Sequence, residues 1–295
     1  MDYYHLDIRS IYIKDSFSRL SVWAGVKDDF KETLEETMAK AFARLAVIDS
    51  RRWIAFLLDI LPRLVDVDFD QLSDEKKRML QMFYVTVWGE TASDWNSDKV
   101  LENLYNLADS PVMLSELIAL LQHRFNHIDF IDEPVNLGFA CPLDLHCTYT
   151  RDQILVAMDF MKPNTVREGV KYLPEKKADI FFVTLNKSDK DYSPTTMYND
   201  YSISETLFHW QSQSTTSADS ATGRRYIHHK ESGNRILLFV REFKSDRNFG
   251  SAGAYTFLGT ANYVKHDGSR PMNITWKLDR PIPAKFLKKT NKLIG

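Results

Sequence analysis

The chain has 295 residues, 44% of them hydrophobic and 26% charged, with 38 Lys+Arg against 40 Asp+Glu and a formal net charge of −2. That composition excludes a fully disordered chain, and the lack of any run of about 18 apolar residues argues against a transmembrane helix. Two cysteines, Cys141 and Cys147, are too few for a disulfide framework. Met1–His5 lacks the basic-then-apolar pattern of a secretory signal, so the expected location is cytoplasmic.

The first 125 residues read as helices. Asp28 is the expected cap of a helix with apolar positions Phe30, Leu34, Met38, Phe42 and Leu45. Ser50 precedes Trp53, Phe56, Leu57, Ile60 and Leu61, and Pro62 ends that stretch. Ser73 opens a helix with Leu80, Phe83, Tyr84, Val87 and Trp88 on one side, and Ser97 a shorter one through Leu107. Ser110-Pro111 is an N-cap with proline in the first helical position, leading into Leu114, Leu117, Ile118 and Leu121.

The period changes near Asn126. Leu143–Tyr149 alternates enough for a strand, Thr150 caps a helix through Met158, and Ile180–Leu185 is a compact buried strand. Beyond it two antiparallel hairpins are expected. One joins Tyr226–His229 to Ile236–Phe243 through Glu231–Asn234, and the other joins Tyr255–Val264 to Met272–Leu278 through His266–Ser269. Pro283–Leu293 reads as a short basic helix or tail.

The near-zero net charge averages unlike parts. Residues 1–140 carry 15 Lys+Arg and 24 Asp+Glu, a net of −9, whereas residues 209–295 carry 15 and 6, a net of +9. Such asymmetry points to nucleic-acid contact by the basic part, or to a basic domain docking on an acidic one.

No Gly-rich Walker loop and no Gly-x-Ser-x-Gly elbow is present. Cys141, His146 and Cys147 lack a fourth ligand at zinc spacing, so neither metal nor cofactor is expected. The densest polar and aromatic cluster holds Tyr198, Asp200, Tyr201, His209, Trp210, Gln211 and Gln213, joined by Tyr255 and Asn262. Aromatic faces stack a planar base and amide or carboxylate groups read its edge, which is how a base taken out of a duplex is held. A buried polar network with Trp210 as core is the competing reading. Arg224, Arg225, Lys230, Arg241, Lys244, His266 and Arg270 are candidate backbone or groove contacts. Glu242-Phe243-Lys244 closes an apolar strand as half of a restriction-type nuclease site would, with Asp219 as a loose second acid. A Mg²⁺-dependent nuclease using Glu242 and Lys244 is therefore one alternative, and a protein-interaction module another.

Long literal stretches also carry a resemblance. They include Val183–Lys187, Asp191–Tyr198, Asp200–Ser202, Phe208–Gln213, Tyr255–Ala261 and Gly268–Met272. The run from Arg167 to Leu287 resembles the C-terminal domain of unknown function in bacterial superfamily II helicases that carry a phospholipase-D-type nuclease. ATP-dependent type IV restriction enzymes of the SauUSI kind are the best-understood examples. Residues 30–125 resemble, less specifically, the helical linker that precedes it. The resemblance implies an α+β chain: a helical coupler over 1–126, then a mostly antiparallel β-barrel over 127–295, similar to the SET- and RING-associated (SRA/PUA-like) base-flipping fold. It implies a reader of modified cytosine in duplex DNA, partnered by helicase and nuclease subunits or domains. The chain departs from the whole enzyme in having neither a Walker loop nor the His-x-Lys-x4-Asp nuclease motif; after His228-His229-Lys230, position 235 is Arg.

Overall fold

The computed structural model describes residues 7–186, 200–245 and 253–290. They form two compact units that divide between Thr165 and Val166.

The first unit is helical: α1 (Phe17–Trp23), α2 (Glu35–Leu45), α3 (Arg51–Ile60), α4 (Asp74–Trp88), α5 (Asp98–Ala108), α6 (Pro111–Asn126) and α7 (Arg151–Ala157). Ser50 and Ser73 cap as expected, their hydroxyls accepting from the Trp53 and Lys76 amides, and Thr150 forms a full capping box with Gln153. Asp28 does not cap. Helix α2 begins only after Leu34, without a side-chain cap. Residues 24–34 instead form an irregular segment in which the Phe30 ring lies under the Arg19 guanidinium, 4.4 Å from its carbon.

Two carboxylates distant in sequence supply other helix starts. Glu116 accepts from the Phe17 and Ser18 amides at 2.6 and 2.8 Å, and Glu32 accepts from Val112 and Met113 at 2.7 and 3.0 Å. Each places a negative charge on the positive end of a helix. Trp53 is wholly buried, and its indole N–H donates to the Met79 carbonyl at 3.0 Å.

The loss of helical period at Asn126 marks the end of α6, not the end of this unit. Arg51 holds the following turn by donating to the carbonyls of Ile128 and Phe130 and to Asp132. The short strands β1 (Glu133–Pro134) and β2 (Asp144–Leu145) pair antiparallel, and β3 is Thr148–Tyr149. Gln153 of α7 reaches Thr86 of α4 at 2.8 Å.

The second unit is a sheet with two helices. Its elements are β4 (Val170–Leu173), β5 (Ala178–Asn186), β6 (Tyr201–Ser202), β7 (Leu207–Gln211), α8 (Ala221–Ile227), β8 (Arg235–Phe243), β9 (Tyr255–Asp267), β10 (Asn273–Leu278) and α9 (Ala284–Thr290). Strand order is β4-β5-β8-β9-β10-β7-β6. All these pairings are antiparallel except β5 with β8, so the class is α+β. The expected closed barrel is corrected: among the described residues β4 and β6 end the path, and no pairing joins them.

The hairpin expected around His266–Ser269 is present as β9 and β10. The one expected around Glu231–Asn234 is not, because Tyr226 lies in α8 and the turn joins a helix to β8. Ser220 caps that helix by accepting from the Gly223 amide. A Cβ at Gly223 would lie 2.0 Å from the Ser217 carbonyl oxygen, so only glycine lets residues 217 and 218 pack on the helix.

The apolar runs of β5 and β8 are buried throughout, as befits strands covered on both faces. Phe181, Trp210, Tyr226 and Trp276 cluster on one face with Ile236, Leu238 and Ile274. Phe182, Phe239, Tyr255 and Phe257 interlock in a second aromatic group.

Candidate nucleic-acid interface

Alternation along β7 and β10 creates a polar face. Phe208 and Trp210 turn into the core, as do Ile274, Trp276 and Leu278, which leaves His209 and Gln211 beside Asn273, Thr275 and Lys277 on the opposite side. The register aligns them in rows, since directly opposed residues share a face. Tyr201 opposes His209, His209 opposes Thr275, and Thr275 opposes Lys265. Gln211 and Asn273 form the adjacent row and are joined by an amide hydrogen bond of 3.2 Å. Lys277 opposes Asn262, whose amide donates to Asp279 at 2.6 Å. Tyr201 and His209 stack with ring centroids 4.8 Å apart and planes 14° from parallel. Buried Asp200 braces the edge by accepting from the Gln211 amide at 2.9 Å.

One end of this sheet is clamped. Ser212 N–H donates to the Met272 carbonyl at 2.9 Å, and Met272 N–H donates back to the Ser212 hydroxyl at 2.8 Å. Arg270 N–H donates to the Thr216 carbonyl at 3.1 Å. The β9–β10 turn and the approach to α8 are thus one assembly, carrying the exposed Arg224 and Arg270. Arg270 has φ +66°, a conformation that a non-glycine residue adopts at a cost.

Several expected site residues serve the fold instead. Trp210 is core, stacked on Phe181 at 4.1 Å. Tyr255 is buried beneath the Arg241 guanidinium, and Arg241 also donates to the Thr184 hydroxyl at 2.9 Å and the Gly253 carbonyl at 3.1 Å. Arg225 forms a two-pronged pair with fully buried Asp179 at 2.8 and 2.9 Å and lies 3.8 Å over the Tyr172 ring. Gln213 donates to Glu168 at 3.1 Å, and His266 shares a 2.7 Å bond with the Tyr263 hydroxyl. Lys230 and Lys244 are exposed. Tyr198 lies outside the described residues. Thr275 and Lys277 share the polar face because Ile274, Trp276 and Leu278 alternate inward, a pattern legible in the sequence, and Lys265 joins them only through the β9–β10 register.

Asp179 also accepts from Asn234 at 2.8 Å, next to buried His229. The Tyr263 amide donates to His229 Nε2 at 3.0 Å, which puts the ring proton on Nδ1, facing the Asn234 carbonyl at 3.1 Å. Burial holds His229 below its ordinary 6.5 and the Lys230 charge adds to this, against the opposing Asn234 bond and the Asp279 and Asp179 charges. A lowered histidine contributes stability above the unfolded value that is lost as pH falls from about 6.5 toward the folded one. Hydrogen exchange in β9 peptides, corrected for intrinsic rate, should therefore accelerate between pH 7 and 5 in wild type. That extra acceleration should be absent in His229→Gln.

Glu242 lies at the end of β8 and Lys244 just after it, and Asp219 is exposed before α8. Among the described residues Glu242 belongs to no group of three metal-ready side chains. The one such group, Asp132, Asp144 and Cys147, lies in the helical unit with its atoms already engaged. Asp132 binds Arg51, Asp144 binds Ser50 and Arg52, and the Cys147 thiol, pushed up by burial, faces the Asp49 carbonyl at 3.6 Å.

Residues 143–289 match the family model of a domain of unknown function, DUF3427. No curated protein matches the chain. The matched stretch opens at Leu143, inside the helical unit, and runs through the sheet into α9. No single helix among the described residues is long and apolar enough to cross a membrane.

Proposed function

We propose that the chain is the DNA-binding specificity module of a modification-dependent restriction system. It recognises 5-methyl- or 5-hydroxymethylcytosine in duplex DNA and takes the modified base out of the stack. The observation that carries this reading is the polar face of β6, β7 and β10. There a stacked Tyr201–His209 pair adjoins the Gln211–Asn273 amide pair, and His209, Gln211 and Asn273 belong to the stretch 209–295 of net charge +9. Aromatic faces and amide edges are what an extruded cytosine requires. Arg224 and Arg270 supply phosphate contacts, which add affinity without sequence information. The acidic helical unit is the coupler to helicase or nuclease partners of a cytoplasmic defence complex.

Titrating the full chain with duplexes that differ at a single cytosine, at one fixed salt concentration, tests this. Tighter binding of the modified duplex is expected. Equal affinities would overturn modified-base recognition, and no binding at low salt would overturn DNA binding altogether. Arg224→Ala and Arg270→Ala should each weaken modified and unmodified duplexes alike and reduce the salt slope by about one.

A further inference from the structure

The helical unit carries an apolar cleft to which the reading of DNA gives no role. It opens between α5 and the 3-10 turns Leu61–Asp66 and Phe69–Gln71, and encloses about 230 Å³. Buried Phe69 and Leu104 line it together with Val65, Val67, Leu101 and Tyr105. Val65 and Tyr105 are each 48% exposed, so the cleft presents large apolar side chains to water.

The local sequence explains both the lining and the lips. Apolar and acidic residues alternate from Val65 to Asp70, which puts Val65, Val67 and Phe69 in the cleft and leaves Asp66, Asp68 and Asp70 exposed. On α5, Leu101, Leu104 and Tyr105 fall on one side at i, i+3 and i+4. Exposed Asp98 and Glu102 lie on the helical stripe that continues into Tyr105. Residues 64–70 and 94–109 together hold seven Asp+Glu and one lysine. That lysine, Lys99, is paired with Glu90 at 2.6 Å, while Arg63 is paired with Asp59 at 2.7 Å and Lys77 donates to the Asp70 carbonyl at 3.3 Å. Both lips are therefore acidic, and the flanking cations are engaged elsewhere.

Size and charge select the occupant. Pockets for small organic ligands measure about 300–1,000 Å³, more than this cleft holds. It suits one or two anchoring side chains, and an amphipathic helix enters such a groove with anchors at i, i+3 and i+4. Acidic lips favour a helix whose remaining positions are Lys or Arg.

We propose that this cleft docks a basic amphipathic helix of a partner protein, with apolar anchors between Val65 and Tyr105 and cations on Asp66, Asp68, Asp98 and Glu102. The proposal rests on the coupler role of the helical unit and on nothing in the recognition of modified cytosine.

The test titrates the full chain into a fluorescent amphipathic peptide of about 15 residues, with leucines at i, i+3, i+4 and i+7 and lysines elsewhere. The peptide should bind, and versions with serine for leucine or glutamate for lysine should not. Val65→Asp and Tyr105→Ala should each weaken binding about tenfold or more, with the urea midpoint nearly unmoved because both side chains are half exposed. Asp66→Lys and Glu102→Lys should weaken it and flatten its salt dependence. Ile131→Ala removes a more exposed apolar side chain beyond the other end of α3 and should change nothing. No binding of the lysine–leucine peptide, equal binding of either control peptide, or full binding by both Val65→Asp and Tyr105→Ala overturns the docking site. A dimer of the chain that Val65→Asp dissolves would put a second copy in the cleft and likewise overturn a separate partner. The assay contains no DNA, so its failure leaves modified-cytosine recognition standing, and equal duplex affinities would leave the docking site standing.

Discussion

Replacing Arg225 with alanine is expected to lower stability by about 3–5 kcal/mol, because it strands a fully buried carboxylate. Asp179 has no exposure, and it is held by the Asn234 amide and by two guanidinium nitrogens of Arg225. The measurement is the urea midpoint, with an unchanged m-value showing that the unfolding transition is otherwise the same. Arg224 is the control one residue away. It is exposed, so Arg224→Ala should leave the midpoint nearly unmoved while weakening DNA binding. The opposite pattern, a stable Arg225→Ala protein with reduced DNA affinity, would return Arg225 to the phosphate-contacting set. In the double variant Arg225→Ala/Asp179→Asn, removing the buried charge should recover part of the loss.

Trp210→Ala should be comparably damaging, at about 3–5 kcal/mol, as expected for emptying a large aromatic site in a packed core. The ring stacks on Phe181 at 4.1 Å and meets Tyr226 edge-on at 5.6 Å, so truncation takes an aromatic contact from both at once. Below its melting temperature the variant should retain the wild-type preference between modified and unmodified duplexes. A stable Trp210→Ala protein that has lost that preference would mean the indole belongs to the base pocket.

These two residues show where reading the chain by residue type stops. Trp210 and Tyr201 look equally suited to stacking on a base, yet β-strand parity sends Trp210 inward while its neighbour His209 faces Tyr201 outside. Arg224 and Arg225 look alike as cations, but on α8 one projects to solvent and the other onto Asp179, whose position in β5 no local pattern links to it. The helices were legible because their caps are local: Ser50, Ser73 and Thr150 each bond within the next turn. Glu32 and Glu116 cap helices from far along the chain and were not legible. The end of α8 reads as the start of a strand over Tyr226–His229, since Tyr226 and Ile227 are strand-forming types and Gly223 lowers helical propensity just before them. The glycine is there for the close approach of Ser217, a tertiary requirement that outweighs propensity.

The parallel pairing of β5 with β8 also shapes how the chain comes to be folded. Ala178 finds its partner in Arg235, and β6, β7 and α8 all lie between them in sequence. At a synthesis rate of about 5–20 residues per second, several seconds pass between the two strands leaving the ribosome. Throughout that interval Ile180–Leu185, an uninterrupted apolar strand, has β4 on one edge and an open edge on the other. An edge of that kind is a template for pairing with other chains. The nascent protein is therefore most in need of a chaperone while residues 186–235 are being made, and its yield on expression should depend on growth temperature more than the stability of the finished sheet would suggest.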